Sequence, residues 1–332
     1  MTIRTMARRA LMGACAAVAL LAALPAAAQQ TNFPTKPMRM VVPFAVGGAT
    51  DVIGRILAAK MSEILGQQVI VDNRAGAGGN IGADIVAKSP PDGYTFLAAT
   101  GSTHTFNPVL YRTIPYDPIK DFAPIGLAVV TPFMLVVNKD IPAKDLQSFI
   151  ALVKANPGKY NYGSSGVGGN IHLCSELFKS MAGNLDLAHV PYRGSGPLMN
   201  DLIAGQIAVA LDPAATSGPH IAAGAIRPIG AATMTRARTQ PNVPTMDEQG
   251  LKGYDCYTWT GLYAPAKTPE PIIRKLNAAL AQAVADKAVG GRLGEMGFEP
   301  QTDTSPERLA TFTRTELERW TPVIKASGVV LD

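Results

Sequence analysis

The chain has 332 residues, with 30 Lys and Arg against 25 Asp and Glu, and 47% of it is hydrophobic. That length supports one large domain or two lobes, each with a substantial core. No basic run of five or more residues occurs, which argues against a nucleic-acid partner.

The chain opens with a pattern of export. Arg4, Arg8 and Arg9 form a basic start, Ala10 to Leu24 is apolar and uncharged, and Ala26-Ala27-Ala28 supplies small residues before a cut. Residues 1–28 are therefore expected to be a signal peptide, with the mature protein beginning near Gln29 and located in the periplasm. A membrane anchor is disfavoured, because the apolar run is shorter than ~18 residues and meets Pro25. Arg8-Arg9 also fits a twin-arginine signal, and Cys15 after Gly13-Ala14 a lipoprotein site, each more weakly. Setting the three leader arginines aside lowers the net charge from +5 to +2.

Strands and helices then alternate. Met38–Pro43 reads as a strand and Asp51–Leu65 as a helix with Ile53, Ile56, Leu57, Met61 and Ile64 on one face, ended by Gly66. A strand follows at Val69–Val71, a loop at 73–82, a helix to Ala87 and a strand at Tyr94–Ala99. Phe133–Asn138 is a strand, Asp145–Ala155 a helix and Tyr160–Gly163 a strand. Asn170–Met181 is a helix expected to turn Ile171, Leu177, Phe178 and Met181 inward. His189–Tyr192 and Val209–Asp212 are strands around a helix at Pro197–Ala204, and Ile226–Ala231 and Trp259–Tyr263 are the last clear strands. Helices at Pro269–Lys287 and Pro306–Lys325 close the chain, the second capped by Ser305. This alternation predicts parallel sheets covered on both faces, with the chain crossing between lobes near 128–131 and returning near 251–257.

Two stretches share one design of strand, glycine turn and helix start: Val41 to Asp51 and Tyr160 to Asn170. Glycine lets backbone approach a ligand closely, and a helix start presents free N–H groups and a positive dipole end. Such a terminus suits carboxylate or phosphate. A pair of them predicts two lobes gripping one anion at the carboxyl ends of strands. Ordinary βα turns needing left-handed backbone are the plainer alternative for either loop alone.

Other motifs fail. Gly76-Ala77-Gly78-Gly79-Asn80-Ile81-Gly82 is one residue too long for a dinucleotide fingerprint. Gly163-Ser164-Ser165-Gly166 has the wrong spacing for a serine-hydrolase elbow, and Gly194-Ser195-Gly196 lacks a glycine two before its serine. His104, His172, His189 and His220 show no metal-ligand spacing. His172 falls in the first turn of its helix, where it either faces the site or serves structure. Asp51 is either a plain helix-start acid or a site residue that holds a water, hydroxyl or amine. Arg193, at a strand-end turn, either pairs a carboxylate bidentately or, as the commoner outcome, is exposed. After the leader only Cys174 and Cys256 remain, and their positions favour two separate buried thiols over a bridge.

An ordered set of segments runs through the mature chain: VVPFAVGGATD (41–51), LGQQVIVDNRAGAGGNIGADIVAKSPPDGYTF (65–96), NPVLY (107–111), PYDPIKDFAPIG (115–126), NPGKYNYGSSGVGGNIHL (156–173), HVPYRGSGP (189–197), NVPT (242–245), WTGLYAPAKTP (259–269) and ERW (318–320). With these the chain resembles the Bug-type substrate-binding receptors of tripartite tricarboxylate transporters. The resemblance implies an α/β, two-lobed periplasmic-binding-protein fold of type II-like form with two crossovers. The lobes would be 29–128 with 252–332, and 129–251. It implies that Phe44, Ala45, Gly47, Gly48 and Asp51 in one loop and Ser164, Ser165, Gly168, Gly169 and Asn170 in the other hold a ligand carboxylate with ordered waters. Ser102, Thr103, Tyr192 and Asp212 would line the rest. Family members often carry serine where this chain has Gly169, so one hydroxyl donor is absent here. A monomer without catalytic residues, metal or cofactor is implied. Its partners would be a small organic carboxylate, such as a di- or tricarboxylate, an aromatic acid or an amino acid, and a membrane permease. A sensor-kinase ectodomain is an alternative partner, and an exported enzyme a further alternative.

Overall fold

The strand β1 (Met38–Val42) begins the ordered architecture, and its apolar side chains are sealed between layers. A computed structural model describes residues 32–332, and the expected leader lies outside them. Residues 32–35 carry no helix or strand and are assigned to a separate unit, while residues 36–332 form one unit. The helix α1 (Ala49–Leu65) buries Ile53, Leu57 and Met61, which recur every four residues. It ends on Gly66 at φ 68°, a backbone only glycine takes without strain. Next come β2 (Val69–Asn73), α2 (Asn80–Ala87), β3 (Thr95–Thr100) and the short α3 (Asn107–Leu110), which follows a π-helical turn at Ser102–Phe106.

β4 is a single strand of 17 residues, Phe122–Asn138. The sequence predicted only its last part, Phe133–Asn138. The strand accommodates Pro124 and Gly126 at a bulge between them, has a second bulge between Leu127 and Val129, and keeps Pro132 in register opposite Tyr257. Its first part pairs antiparallel with β9 (Tyr257–Pro265), and its last part pairs with β7 (Val209–Pro213) and β8 (Ile226–Ala231). Between them lie α4 (Leu146–Lys154), β5 (Tyr160–Ser164), α5 (Asn170–Met181), β6 (Leu187–Pro191), α6 (Ser195–Ile203) and α7 (Ala214–Ala222). The strand order is β2-β1-β3-β9-β4-β7-β5-β6, with β8 and the short β10 (Glu299–Pro300) both on β4. Parallel pairs occur as expected at β1–β2, β1–β3, β5–β6 and β5–β7. The purely parallel expectation is corrected, because β9 and β4 run against their neighbours.

The expected single helix over 269–287 is two: α8 (Glu270–Ala285) and α9 (Lys287–Glu295). Asp286 separates them and caps the second by accepting from the N–H groups of Ala288 and Val289. The last helix, α10 (Pro306–Ser327), has the expected cap, Ser305 Oγ accepting from Arg308 N–H. α10 serves two cores. Leu309 joins Val41, Leu97, Trp259 and Tyr263 in one, and Trp320 and Ile324 join Phe133, Tyr162, Phe178 and Leu211 in the other. Met181 is 38% exposed rather than inward, and Leu173 and Cys174 take the buried face instead.

The expectation of two free thiols is overturned: Cys174 and Cys256 form a disulfide, with Cα atoms 6.0 Å apart and a sequence separation of 82. The antiparallel run of β9 along β4 carries the residue before β9 to the flank of α5. The Tyr254 hydroxyl reinforces the join, donating to Cys174 O at 2.9 Å.

Candidate functional site

The two glycine loops share one backbone design at the pair of glycines that opens each helix. Gly48 and Gly169 are the N-caps of α1 and α5, with φ, ψ of −72°, 163° and −73°, 167°. Before each stands a glycine in the left-handed region, Gly47 at φ 84° and Gly168 at φ 73°. Gly48 N–H donates to Ala45 O at 3.3 Å, and Gly169 N–H to Gly166 O at 3.4 Å. Neither cap receives a side-chain hydrogen bond, so the first N–H groups of both helices stay available to a ligand.

A side chain in the first turn of each helix reaches back to fix its loop. Gly47 N–H donates to Asp51 Oδ2 at 2.9 Å, and Gly168 N–H donates to His172 Nδ1 at 3.0 Å. Asp51 is 2% exposed. It also accepts from Arg55 Nε at 3.0 Å and from Asn73 Nδ2 at 2.9 Å, and Asn73 Nδ2 also reaches Phe44 O at 3.0 Å. Burial pushes the Asp51 carboxyl up, but the bonds from Arg55, Gly47 and Asn73 together hold it below the ordinary aspartate value. His172 is 5% exposed, and burial lowers its pKa.

Both loops line one cavity of about 520 Å³. Of the expected site residues, Phe44, Gly48, Ser102, Ser165, Gly168, Gly169 and Asn170 line it. Ser102 Oγ donates to Asn170 Oδ1 at 3.0 Å and so ties the second loop to the π-helical turn after β3. Asn170 Nδ2 is buried and has no hydrogen-bond partner among the described residues, which makes it a donor for a ligand. The other expected residues stand behind the lining. Ala45 and Gly47 shape the turn, and Asp51 anchors it. Thr103 is buried, with its hydroxyl donating to Thr100 O at 3.1 Å. Ser164 is buried beneath the second loop, and Tyr192 donates its hydroxyl to Asp201 at 2.7 Å. Asp212 is fully buried beside the lining residue Pro213, and its Oδ2 accepts from Thr216 Oγ1. Burial raises its pKa to about 7, against opposing hydrogen bonds from Thr216 and Ser195.

Sequence reasoning missed Thr50, Asn107, Tyr111, Ser195, Thr258 and Leu331 in the lining. Asn107 and Tyr111 sit in the NPVLY segment and carried a signal; Leu331 arrives only because the tail folds back, its N–H donating to Leu110 O at 2.8 Å. Among the described residues lining the cavity, none is Lys, Arg or His. The site therefore offers an anion main-chain N–H groups, hydroxyls and amides without a fixed countercharge. Among the described residues no cluster of three His, Cys, Asp or Glu is placed for a metal, and no helix is long and apolar enough to cross a membrane.

Known proteins match this architecture. The chain is 38% identical to the R. palustris protein Rpa4515, solved with adipate, at a TM-score of 0.81, covering 90% of this chain and 99% of that one. MatC of Rhodopseudomonas palustris, solved with bound malate, matches at 35% identity and a TM-score of 0.77, over 88% of this chain and 100% of that one. BugT of Bordetella pertussis is 36% identical over 301 residues, 90% of this chain and 92% of that protein. A profile of the tripartite tricarboxylate transporter family receptor matches residues 53–329. The fold is that of the periplasmic binding proteins, and the chain belongs to the tripartite tricarboxylate transporter receptor family.

Proposed function

We propose that this protein captures a small organic carboxylate in the periplasm and delivers it to the permease of a tripartite transporter. The observation that carries this reading is the pair of matched helix N-termini on one cavity whose lining holds no cationic side chain. A few hydrogen bonds to a charged ligand at about 1.5–3 kcal/mol each, less the ordering cost, correspond to micromolar-range binding of about −8 kcal/mol. Neighbouring receptors were solved with adipate and with malate, and both acids belong in the first test panel. The protein acts as a receptor and releases its ligand unchanged. Residues 129–251 form one lobe and the flanking segments the other, and ligand draws the two loops together about the crossovers.

The test is a thermal-shift panel of di- and tricarboxylates, aromatic acids and amino acids, confirmed by calorimetry. A cognate acid at 100 times its Kd is expected to stabilise the fold by about 2.7 kcal/mol. Its methyl ester is expected to give almost none. Equal shifts from acid and ester would overturn the reading, as would turnover of the bound acid.

A further inference from the structure

The two loops differ in one atom of consequence. Gly47 N–H ends on a carboxylate oxygen, but Gly168 N–H ends on an imidazole nitrogen. An imidazole nitrogen accepts only while it carries no proton, so Nδ1 of His172 is bare and the ring is neutral with its proton on Nε2. A proton added at Nδ1 would set donor against donor and remove the bond.

A second imidazole ties the other end of the same loop. His189 Nε2 lies 2.6 Å from Ser164 Oγ. That hydroxyl in turn lies 3.1 Å from Gly166 O and 3.3 Å from Gly166 N. The two imidazoles stack face to face, with centroids 4.0 Å apart and planes 8° from parallel. Two cations at that spacing repel, so charging one ring opposes charging the other. We propose that His172 is a positioning residue: neutral and stacked on His189, it holds the second glycine loop in its binding shape, and protonation of the pair frees that loop and weakens carboxylate binding while the first loop, held by Asp51, stays set.

The surroundings of the pair are mixed. Tyr162 of β5 stacks on His189 at 4.9 Å, and its hydroxyl donates to Glu176 of α5. Lys179 of α5 bonds Glu176 at 2.8 Å. From α10 the residues beside Glu176 and Lys179 are Pro322, Val323, Ala326 and Ser327, none of which titrates. Burial lowers the pKa of both rings, that of His189 to about 4. Glu176 opposes this lowering at both rings and Lys179 adds to it. The release therefore belongs below pH ~6.5, the ordinary histidine value. Asp51, held below the ordinary aspartate value, stays ionised through that window.

The inference rests on the reading that the second loop receives the ligand, but its first test needs no ligand. In ligand-free protein titrated from pH 8 to 4, the Gly168 amide resonance is expected to move with the His172 ring, and the Gly47 amide to stay still. Calorimetry with adipate and malate at pH 7.5 and 4.5 then compares the wild type with His172→Asn, which keeps an acceptor oxygen but cannot titrate. From pH 7.5 to pH 4.5 the wild type is expected to lose at least about threefold more affinity than the variant does. Each acid's own titration is common to both proteins and cancels in the ratio. A Gly168 resonance indifferent to the ring, or matching pH profiles for the two proteins, would overturn the proposal. If neither acid binds, the failure falls on the ligand reading, and the Gly168 resonance still decides the latch. It also decides should circular dichroism show that His172→Asn does not fold.

Discussion

The loop before α1 and the loop before α5 reach the same backbone by different chemistry. One stands on an ionised carboxylate balanced by Arg55, whose side chain is 51% exposed. The other stands on neutral stacked rings, that of His172 buried and that of His189 partly so. The lesson is that the cradle needs only an acceptor four residues after its left-handed glycine. The nature of that acceptor sets the local field. A carboxylate beneath a helix start repels an incoming anion, and Arg55 offsets that repulsion. An imidazole adds no charge and so needs no such offset. The second helix is also bolted covalently, through Cys174, where the first is tied by hydrogen bonds such as Asn73 to Asp51 and ion pairs such as Lys60 with Asp286.

Six variants press on this contrast. Replacing Cys174 and Cys256 together by serine is expected to lower stability by about 4 kcal/mol, from the chain entropy of so long a loop. Urea unfolding reads the loss, and amide exchange should rise in α5 and not in α1; an equal rise would show that the bolt serves the whole fold. Gly48→Val and Gly169→Val are each expected to weaken carboxylate binding about 100-fold, or about 2.7 kcal/mol. Both positions have an extended φ, and an added Cβ would meet its nearest atom at 3.4 Å and 3.5 Å, so folding should survive. If only one variant loses binding, a single loop holds the anion. Gly47→Val is less clean, because φ 84° strains any side chain and turn and site fail together. Asp51→Asn turns an acceptor into a poorer one and leaves Arg55 without its charge. The expected loss is about 2 kcal/mol, read by chemical denaturation. Arg55→Ala should cost less than about 1 kcal/mol, since the pair is half in solvent.

Acid should dismantle the two anchors in order. The pKa of His189 is lowered to about 4, mainly by burial, and that of His172 is lowered as well, mainly by burial. For such groups the unfolded chain binds protons first. Their stability is therefore whole above pH ~6.5 and is lost as the pH falls toward the folded values. The pKa of Asp51 is also lowered, so its contribution is whole above the ordinary value of 3.8 and is lost only below it. Amide exchange measured against pH should thus show α5 opening before α1. The reverse order would refute the assignment of anchors.

Much of this was legible in the chain. Glycine turns after apolar runs placed both loops, because left-handed backbone has few residue choices. Gly47-Gly48-Ala49-Thr50-Asp51 and Gly168-Gly169-Asn170-Ile171-His172 even share a spacing that exposes the anchors, although the two acceptors differ in kind. What stayed hidden was long-range. Nothing local in Phe122–Pro132 announces a strand, since its pairing with β9 comes from residues more than 120 positions away. Leu331 in the lining and Cys174 against Cys256 are likewise products of topology, not of composition. Asp51 was weighed as a site residue, and only the bonds to Gly47, Asn73 and Arg55 show it supporting the loop from behind.

The disulfide has a consequence for proteolysis. Lys252 and Gly253 are exposed at a turn four residues before Cys256, with Gly253 at φ 76°. Exposed glycine turns of this kind are preferred sites of nicking. A cut between them severs the chain while Cys174–Cys256 still links the two fragments. Such a nick is invisible on a non-reducing gel and yields two bands once a reductant is added. The β9–β4 ladder lies wholly beyond the cut on one strand and wholly before it on the other. A nicked, oxidised molecule therefore keeps every pairing that brings the two glycine loops to one cavity.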